Sequence, residues 1–236
     1  MKINIKELLD FFDDKKESEK GDANAIMSIL GEDLNAAAYR HFRKDEVDIL
    51  KENVVQGFQG GKHLDRWILD KKENRLFQCE IKNWAATAIG GKSLKSNADK
   101  EHIKKVAKGH WKHQLSTNLS RKPTKKHKHP NGVSKVLLTM RNPSGYKSLA
   151  VEPLLIYWMP ITNDKKGLKP LSTIPVKSLH LPIGSKFPEL HIFSVSLYLR
   201  QLYKVYKQGK GKKFIELEMP HFKHRMKILT KFQTSK

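Results

Sequence analysis

The stretch Lys62–Trp84, KHLDRWILDKKENRLFQCEIKNW, constrains the chain most. Two strand-like runs, His63–Leu69 and Arg75–Asn83, flank the polar segment Asp70–Asn74. Asn favours turns, and Lys-Lys-Glu has no cause to be buried. The spacing predicts an antiparallel hairpin closed by Lys71–Asn74. A symmetric turn then sets Asp70 opposite Arg75, Ile68 opposite Phe77 and Asp65 opposite Glu80. Directly opposed side chains stand about 4.5–5.5 Å apart at Cβ, and like charges there repel. Side chains alternate along a strand, so Lys82 and Gln78 share the face of Glu80. The hairpin thus gathers two carboxylates and one lysine. A hard divalent cation would relieve the repulsion. The competing account of Glu80-Ile81-Lys82 is an ordinary solvated strand face.

The pattern Asp65-x14-Glu80-Ile81-Lys82 resembles the core of the PD-(D/E)xK nuclease superfamily. Leu64 stands where that family often has Pro. Upstream, Gly31-Glu32-Asp33-Leu34-Asn35-Ala36-Ala37 is similar to the first-helix Gly-Glu motif of resolvase-like members. The likeness covers roughly residues 26–84, and more loosely extends to Met140. It implies an α/β fold: a restriction-endonuclease-like core, a mixed central β-sheet flanked by helices. It further implies one or two Mg²⁺ ions, with Mn²⁺ able to substitute. The ligands it implies are Asp65, Glu80 and the carbonyl of Ile81, with Glu32 contributing directly or through water. Asp33 is held in reserve for that last role.

Charge points the same way. The chain has 236 residues and a formal net charge of +22, which suits a polyanionic partner. Residues 1–60 carry 9 Lys/Arg against 13 Asp/Glu, and the rest carries 37 against 11. The basic portion therefore begins at the hairpin. The sole cysteine, Cys79, rules out an internal disulfide and suits a reducing cytosol. On the hairpin it points away from Glu80 and reads as a small hydrophobe. No apolar run nears about 18 residues, so no membrane span is expected. The N-terminus is amphipathic and acidic, unlike a signal peptide. A cytoplasmic protein is expected.

Taken in order, Ile3–Phe12 has helical spacing, and Asp13–Gly21 reads as a charged hinge. Asp22 opens a second helix to about Arg43, with Ile26, Leu30, Leu34 and Ala37 on one stripe. By that periodicity Glu32 is a solvated residue; only the resemblance makes it a third acid. Asn53–Phe58 is a short strand candidate, followed by a Gly60-Gly61 turn. Trp84 has two readings, core packing or base stacking, and Ala85–Ser93 reads as a loop. Leu94–Leu115 reads as a long helix with Ile103, Val106, Ala107 and His110 on one face. Lys104, Lys108 and Lys112 lie on other faces, either simply solvated or touching phosphates. His110 and His113 lack companions for a zinc set. Lys125 and Lys126 sit in the basic loop 116–132, a candidate backbone clamp.

Val133–Met140 and Glu152–Ile161 read as further strands of the sheet. Ser194 or Ser196 caps a helix to about Lys207. Phe214–Met219 reads as a strand, and Pro220–Phe232 as a basic helix. The domain scheme is an N-terminal helix (1–21), a nuclease core (22–160) and a basic C-terminal elaboration packed on it (161–236). From Arg200 onward there are 11 Lys/Arg and 2 Asp/Glu. Tyr203, Tyr206 and Phe222 interleave with that charge, as core residues or as stacking residues.

The function so implied is Mg²⁺-dependent hydrolysis of DNA phosphodiesters, an endonuclease of restriction, defence or repair type. Asp65 and Glu80 hold the metal, Lys82 steadies charge on the phosphate, and Gln78 bonds the scissile phosphate. Cuts in both strands suit a homodimer. Two rivals stand beside this: a non-catalytic nucleic-acid-binding relative, and a nuclease for RNA. The presence of Glu32, Asp65, Glu80 and Lys82 together favours catalysis over the first.

Overall fold

A computed structural model describes residues 1–14, 20–50, 64–86, 93–116, 135–138, 142–163, 167–179 and 185–230. In chain order its elements are β1 (Lys2–Asn4), α1 (Ile5–Asp13), α2 (Lys20–Phe42), β2 (Val47–Ile49), β3 (Arg66–Asp70) and β4 (Arg75–Lys82). Then come α3 (Lys100–His110), β5 (Ala150–Tyr157), β6 (Leu171–Pro175), β7 (Glu189–Ser194), α4 (Val195–Lys207), β8 (Phe214–Glu216) and α5 (Pro220–Thr230). A six-stranded mixed sheet has the order β2-β3-β4-β5-β7-β6. The pairs β4/β5 and β5/β7 are parallel; β2/β3, β3/β4 and β6/β7 are antiparallel. The molecule is therefore α/β, with helices on the sheet.

The hairpin forms in the register the spacing predicts. Asp70 pairs with Arg75, Ile68 with Phe77 and Arg66 with Cys79. Asn74 closes the turn with φ +49°, a left-handed conformation that Asn tolerates better than most residues. Burial of both faces explains the apolar runs of β4 and β5. One face packs Cys79, Ile81, Leu154, Ile156 and Phe193 against α1, α2 and α4. The other packs Leu155, Tyr157 and Ile192 against Leu115, Val136 and Leu137. Strand alternation sends Gln78, Glu80 and Lys82 to this second face.

Several elements differ from expectation. Met1's neighbours do not open a helix: Lys2–Asn4 form β1, paired with β8. Helix α1 starts at Ile5 because the Asn4 carboxamide accepts the Lys6 N–H at 3.1 Å. Lys135–Leu138 form a helical turn rather than a strand, with Val136 and Leu137 buried all the same. β2 occupies the place beside β3; the expected strand at Asn53–Phe58 lies outside the described residues. α3 starts at Lys100, capped by the Asp99 carboxylate on His102 N–H at 2.7 Å, and passes into a π-helical turn at Trp111–Ser116. Ser194 caps α4, as its position suggests.

Within the described part of the C-terminal third, β6 and β7 are two strands of the sheet, and α4 packs in its core. The N-terminal helix is likewise built in. The Asp13 carboxylate, fully buried, accepts from Trp158 Nε1 at 3.0 Å, Ser196 Oγ at 2.7 Å and Arg200 Nη2 at 2.8 Å.

Candidate functional site

The ladder between β3 and β4 ends at Arg66 and Cys79. Asp65, one residue further, has left the strand. Its carboxylate Oδ2 accepts the Ile81 N–H at 2.6 Å. A side chain here takes the place of the lost backbone partner. Lys82 accepts the Trp158 N–H through its carbonyl, so its peptide faces β5. Peptides alternate along a strand, so the Ile81 carbonyl faces the other way, toward Asp65. Asp65, Glu80 and the Ile81 backbone thus meet at the open end of the hairpin.

Glu80 is 3 % exposed. Its Oε1 receives Lys82 Nζ at 2.6 Å, and its Oε2 lies 2.8 Å from Lys135 Nζ. Burial pushes the Glu80 carboxyl up from its ordinary range, and the Asp65 charge adds to this; Lys82 and Lys135 offset it in part. The Tyr157 hydroxyl stands near and is pushed up by burial and by the Glu80 charge. Lys135 and Tyr157 were not legible as site residues. Lys135 lies in a run that reads as a strand, and Tyr157 in one that reads as plain core.

Glu32 is not brought to this pair. Its carboxylate pairs with Arg66 Nη1 at 3.2 Å, and Arg66 Nη1 also donates to the Asp65 carbonyl at 2.6 Å. Arg66 alternates with Asp65 and points to the α2 side. Asp33 lies 3.6 Å from Arg66, and its Oδ2 accepts the Phe222 N–H at 2.6 Å in the first turn of α5. Glu32 therefore acts on Asp65 through a guanidinium, and Asp33 caps a helix. The Gly31–Asn35 segment has a different use: it docks α2 on Asn83. Asn35 Nδ2 donates to Asn83 Oδ1 at 2.8 Å, and a Cβ on Gly31 would come within 2.6 Å of Asn83 Cγ.

Gln78 is fully buried, and its Nε2 donates to the carbonyls of Val136 and Leu138, the latter at 2.6 Å. It is an internal strut that holds the 135–138 turn on the sheet, so the expected phosphate contact is corrected. α3 buries Ile103, Val106, Ala107 and His110, as its periodicity predicts. The His110 Nδ1 is spent on the Pro160 carbonyl at 2.9 Å. Lys108 and Lys112 are exposed and Lys104 is half-buried. Lys125 and Lys126 lie outside the described residues. Trp84 is 38 % exposed, not core, and Lys82 Nζ sits 5.9 Å from its ring centroid.

Among the described residues, no group of three or more His, Cys, Asp or Glu converges as a metal cage. The donors on offer are two carboxylates and a backbone carbonyl. Mg²⁺ is commonly held through one or two carboxylates, with waters and substrate phosphate completing its shell. The raised, crowded Glu80 carboxyl beside Asp65 is the chemistry such an ion would relieve. The donor set fits Mg²⁺ with Asp65, Glu80 and Ile81, and without Glu32.

Comparison with protein-family models, with curated proteins and with solved structures gives no match. Among the described residues no helix is long and apolar enough to cross a membrane.

Proposed function

We propose that the protein is a Mg²⁺-dependent nuclease acting on DNA, built on a restriction-endonuclease-like core. The observation that carries this reading is the meeting of Asp65, the Ile81 backbone, Glu80 and Lys82 at one point. Asp65 and Glu80, with the Ile81 carbonyl, would hold the ion. When bound, Mg²⁺ supplies Lewis-acid charge to a phosphate oxygen and eases deprotonation of water. The Lys82 ammonium, fixed on Glu80, faces the charge that builds on the phosphoryl oxygens. Lys135 brings a second cation to the same carboxylate. Arg66, held by Glu32, steadies the chain at Asp65. The exposed lysines of α3 and its π-helical turn supply affinity for the backbone that is independent of sequence.

One observation favours a second reading, a nucleic-acid-binding protein that does not cut. Both Glu80 oxygens already have a lysine within 2.8 Å, so the buried charge is balanced without a metal.

Supercoiled plasmid incubated with Mg²⁺, Mn²⁺ or EDTA separates the two. Metal-dependent nicking that Lys82→Ala and Asp65→Ala lose supports the nuclease. Salt-sensitive binding without cutting, on DNA and on RNA alike, supports the second reading. Cutting of RNA alone would move the substrate from DNA to RNA at the same site.

A further inference from the structure

Trp84 plays no part in the chemistry of the carboxylates and lysine, yet it stands beside them. Two other tryptophans of the chain, Trp67 and Trp158, are 2 % and 0 % exposed; Trp84 is 38 % exposed. Leaving so large an aromatic surface in water forgoes burial that the rest of the core exploits. Its backbone is fixed on both sides. Asn83 is clamped by Asn35 and Gly31, and Ala85 and Ala86 are fully buried. Its ring faces the Lys82 ammonium at 5.9 Å. A rigid, half-exposed indole next to the phosphate-facing lysine of a basic protein has the form of a base-stacking platform.

We infer that Trp84 stacks on a base of the nucleotide at or next to the scissile phosphate. The substrate strand is accordingly unpaired there: a single strand, a frayed end or a bulge. This inference rests on the nuclease reading. The geometry sets the position. A nucleotide step spans roughly 3.4 Å of rise in a duplex and more when stretched. A ring 5.9 Å from the Lys82 ammonium is therefore within one or two nucleotides of the phosphate that Lys82 faces. The pairing state follows from the same geometry. A base inside a duplex has both its faces covered by neighbours, so it meets an indole only after unstacking, which is cheapest where it is already unpaired. A lysine in Trp84's place would bind only the backbone; an indole stacks on the base face and is tolerant of sequence.

The test uses the full chain with one sequence prepared as a single strand, as a duplex, and as a duplex with a central unpaired segment. Cleavage is followed in Mg²⁺ for wild type, Trp84→Ala, Trp84→Phe and Lys82→Ala. In parallel, 2-aminopurine is placed at successive positions of the single strand, and its fluorescence is read on binding. The expected result is preferential cutting of the single strand and the unpaired segment. Trp84→Ala should weaken KM on those substrates roughly 5- to 150-fold, the effect of removing one stacked base, with little change on duplex. Trp84→Phe should retain most of the preference. A 2-aminopurine near the cut should be quenched by wild type and not by Trp84→Ala. Cleavage that needs Lys82 but ignores Trp84 on every substrate overturns the inference and leaves the nuclease standing. Binding without quenching that depends on Trp84 overturns it as well. Quenching that depends on Trp84 in a protein that cuts nothing overturns the nuclease and keeps the platform, as part of a binding protein.

Discussion

At the residue scale, Glu80 carries the most consequence. It is buried between two lysines whose side chains are 16 % and 13 % exposed. Removing one partner of a buried pair leaves an uncompensated charge. Glu80→Gln removes the counter-charge shared by the Lys82 and Lys135 ammoniums and should cost about 3 kcal/mol in urea unfolding. Lys82→Ala and Lys135→Ala each leave Glu80 one partner and should cost less. If Glu80→Gln unfolds like wild type, the site is wetter than its burial implies. Asp70, at the other end of the same hairpin, gives a pH prediction. Burial pushes its carboxyl up, but the Glu73 N–H and the Arg43 and Arg75 guanidiniums outweigh that and hold it below the ordinary range. A carboxyl lowered in the fold adds stability above its unfolded pKa of about 3.9, and that stability drains away as pH falls through the folded value. Asp70→Asn should therefore cost about 2 kcal/mol near neutrality, with the gap to wild type closing below roughly pH 4. A gap that persists at pH 2 would mean that Asn loses packing rather than charge.

At the element scale, α2 is positioned by one close approach. Ala is a better helix former than Gly by about 1 kcal/mol, so Gly31→Ala would stabilise an isolated α2. Here the added carbon falls 2.6 Å from Asn83 Cγ, and Asn83 is held by Asn35. Gly31→Ala should be net destabilising by roughly 1–3 kcal/mol. In Asn83→Gly, which removes both the Cγ and the Cβ that lies 2.8 Å from the added carbon, the same substitution should cost little. A double-mutant cycle reads this directly; additive effects would mean that the helix rides over the asparagine. The hairpin around which these elements gather was legible in the sequence, because period-two alternation and a short polar turn leave little freedom in register. That Glu80 and Lys82 share a face was legible for the same reason; that Asp65 leaves the ladder and turns its carboxylate onto the Ile81 N–H was not. β6, β7 and the 135–138 turn were not. Short apolar runs such as Leu171–Pro175 and Val136–Leu138 carry no period that separates strand, turn and helix. The position of Glu32 was not legible, because a motif in one helix does not set where its side chain points: Arg66 on the neighbouring strand end pairs with it.

At the scale of the whole molecule, the ends of the chain are tied together. Asp13 of α1 meets Trp158, Ser196 and Arg200 in a buried hub, and β1 pairs with β8. Asp13→Ala leaves the Arg200 guanidinium buried and should cost about 3–5 kcal/mol, felt as one cooperative thermal transition at lower temperature rather than as a separate early melt of the N-terminus. A distinct early transition would mean that residues 1–14 fold as an appendage. The same scale governs affinity. Net charge of +22 acts on a polyanion through counterion release, so the logarithm of the binding constant should fall linearly with that of salt, with a slope of about −0.9 per phosphate neutralised on duplex and about −0.7 on single strands. The lysines of α3 and its π-helical turn are the test of where the strand runs. Replacing Lys104, Lys108 and Lys112 together with Gln should flatten the slope by roughly one unit for each phosphate no longer neutralised. On the nuclease reading, cleavage by bound protein should persist, since the three lie on α3 and its π-helical turn and not on the hairpin that carries Asp65, Glu80 and Lys82. An unchanged slope would remove α3 from the path proposed for a nucleic acid and route that path across other basic surface of the chain.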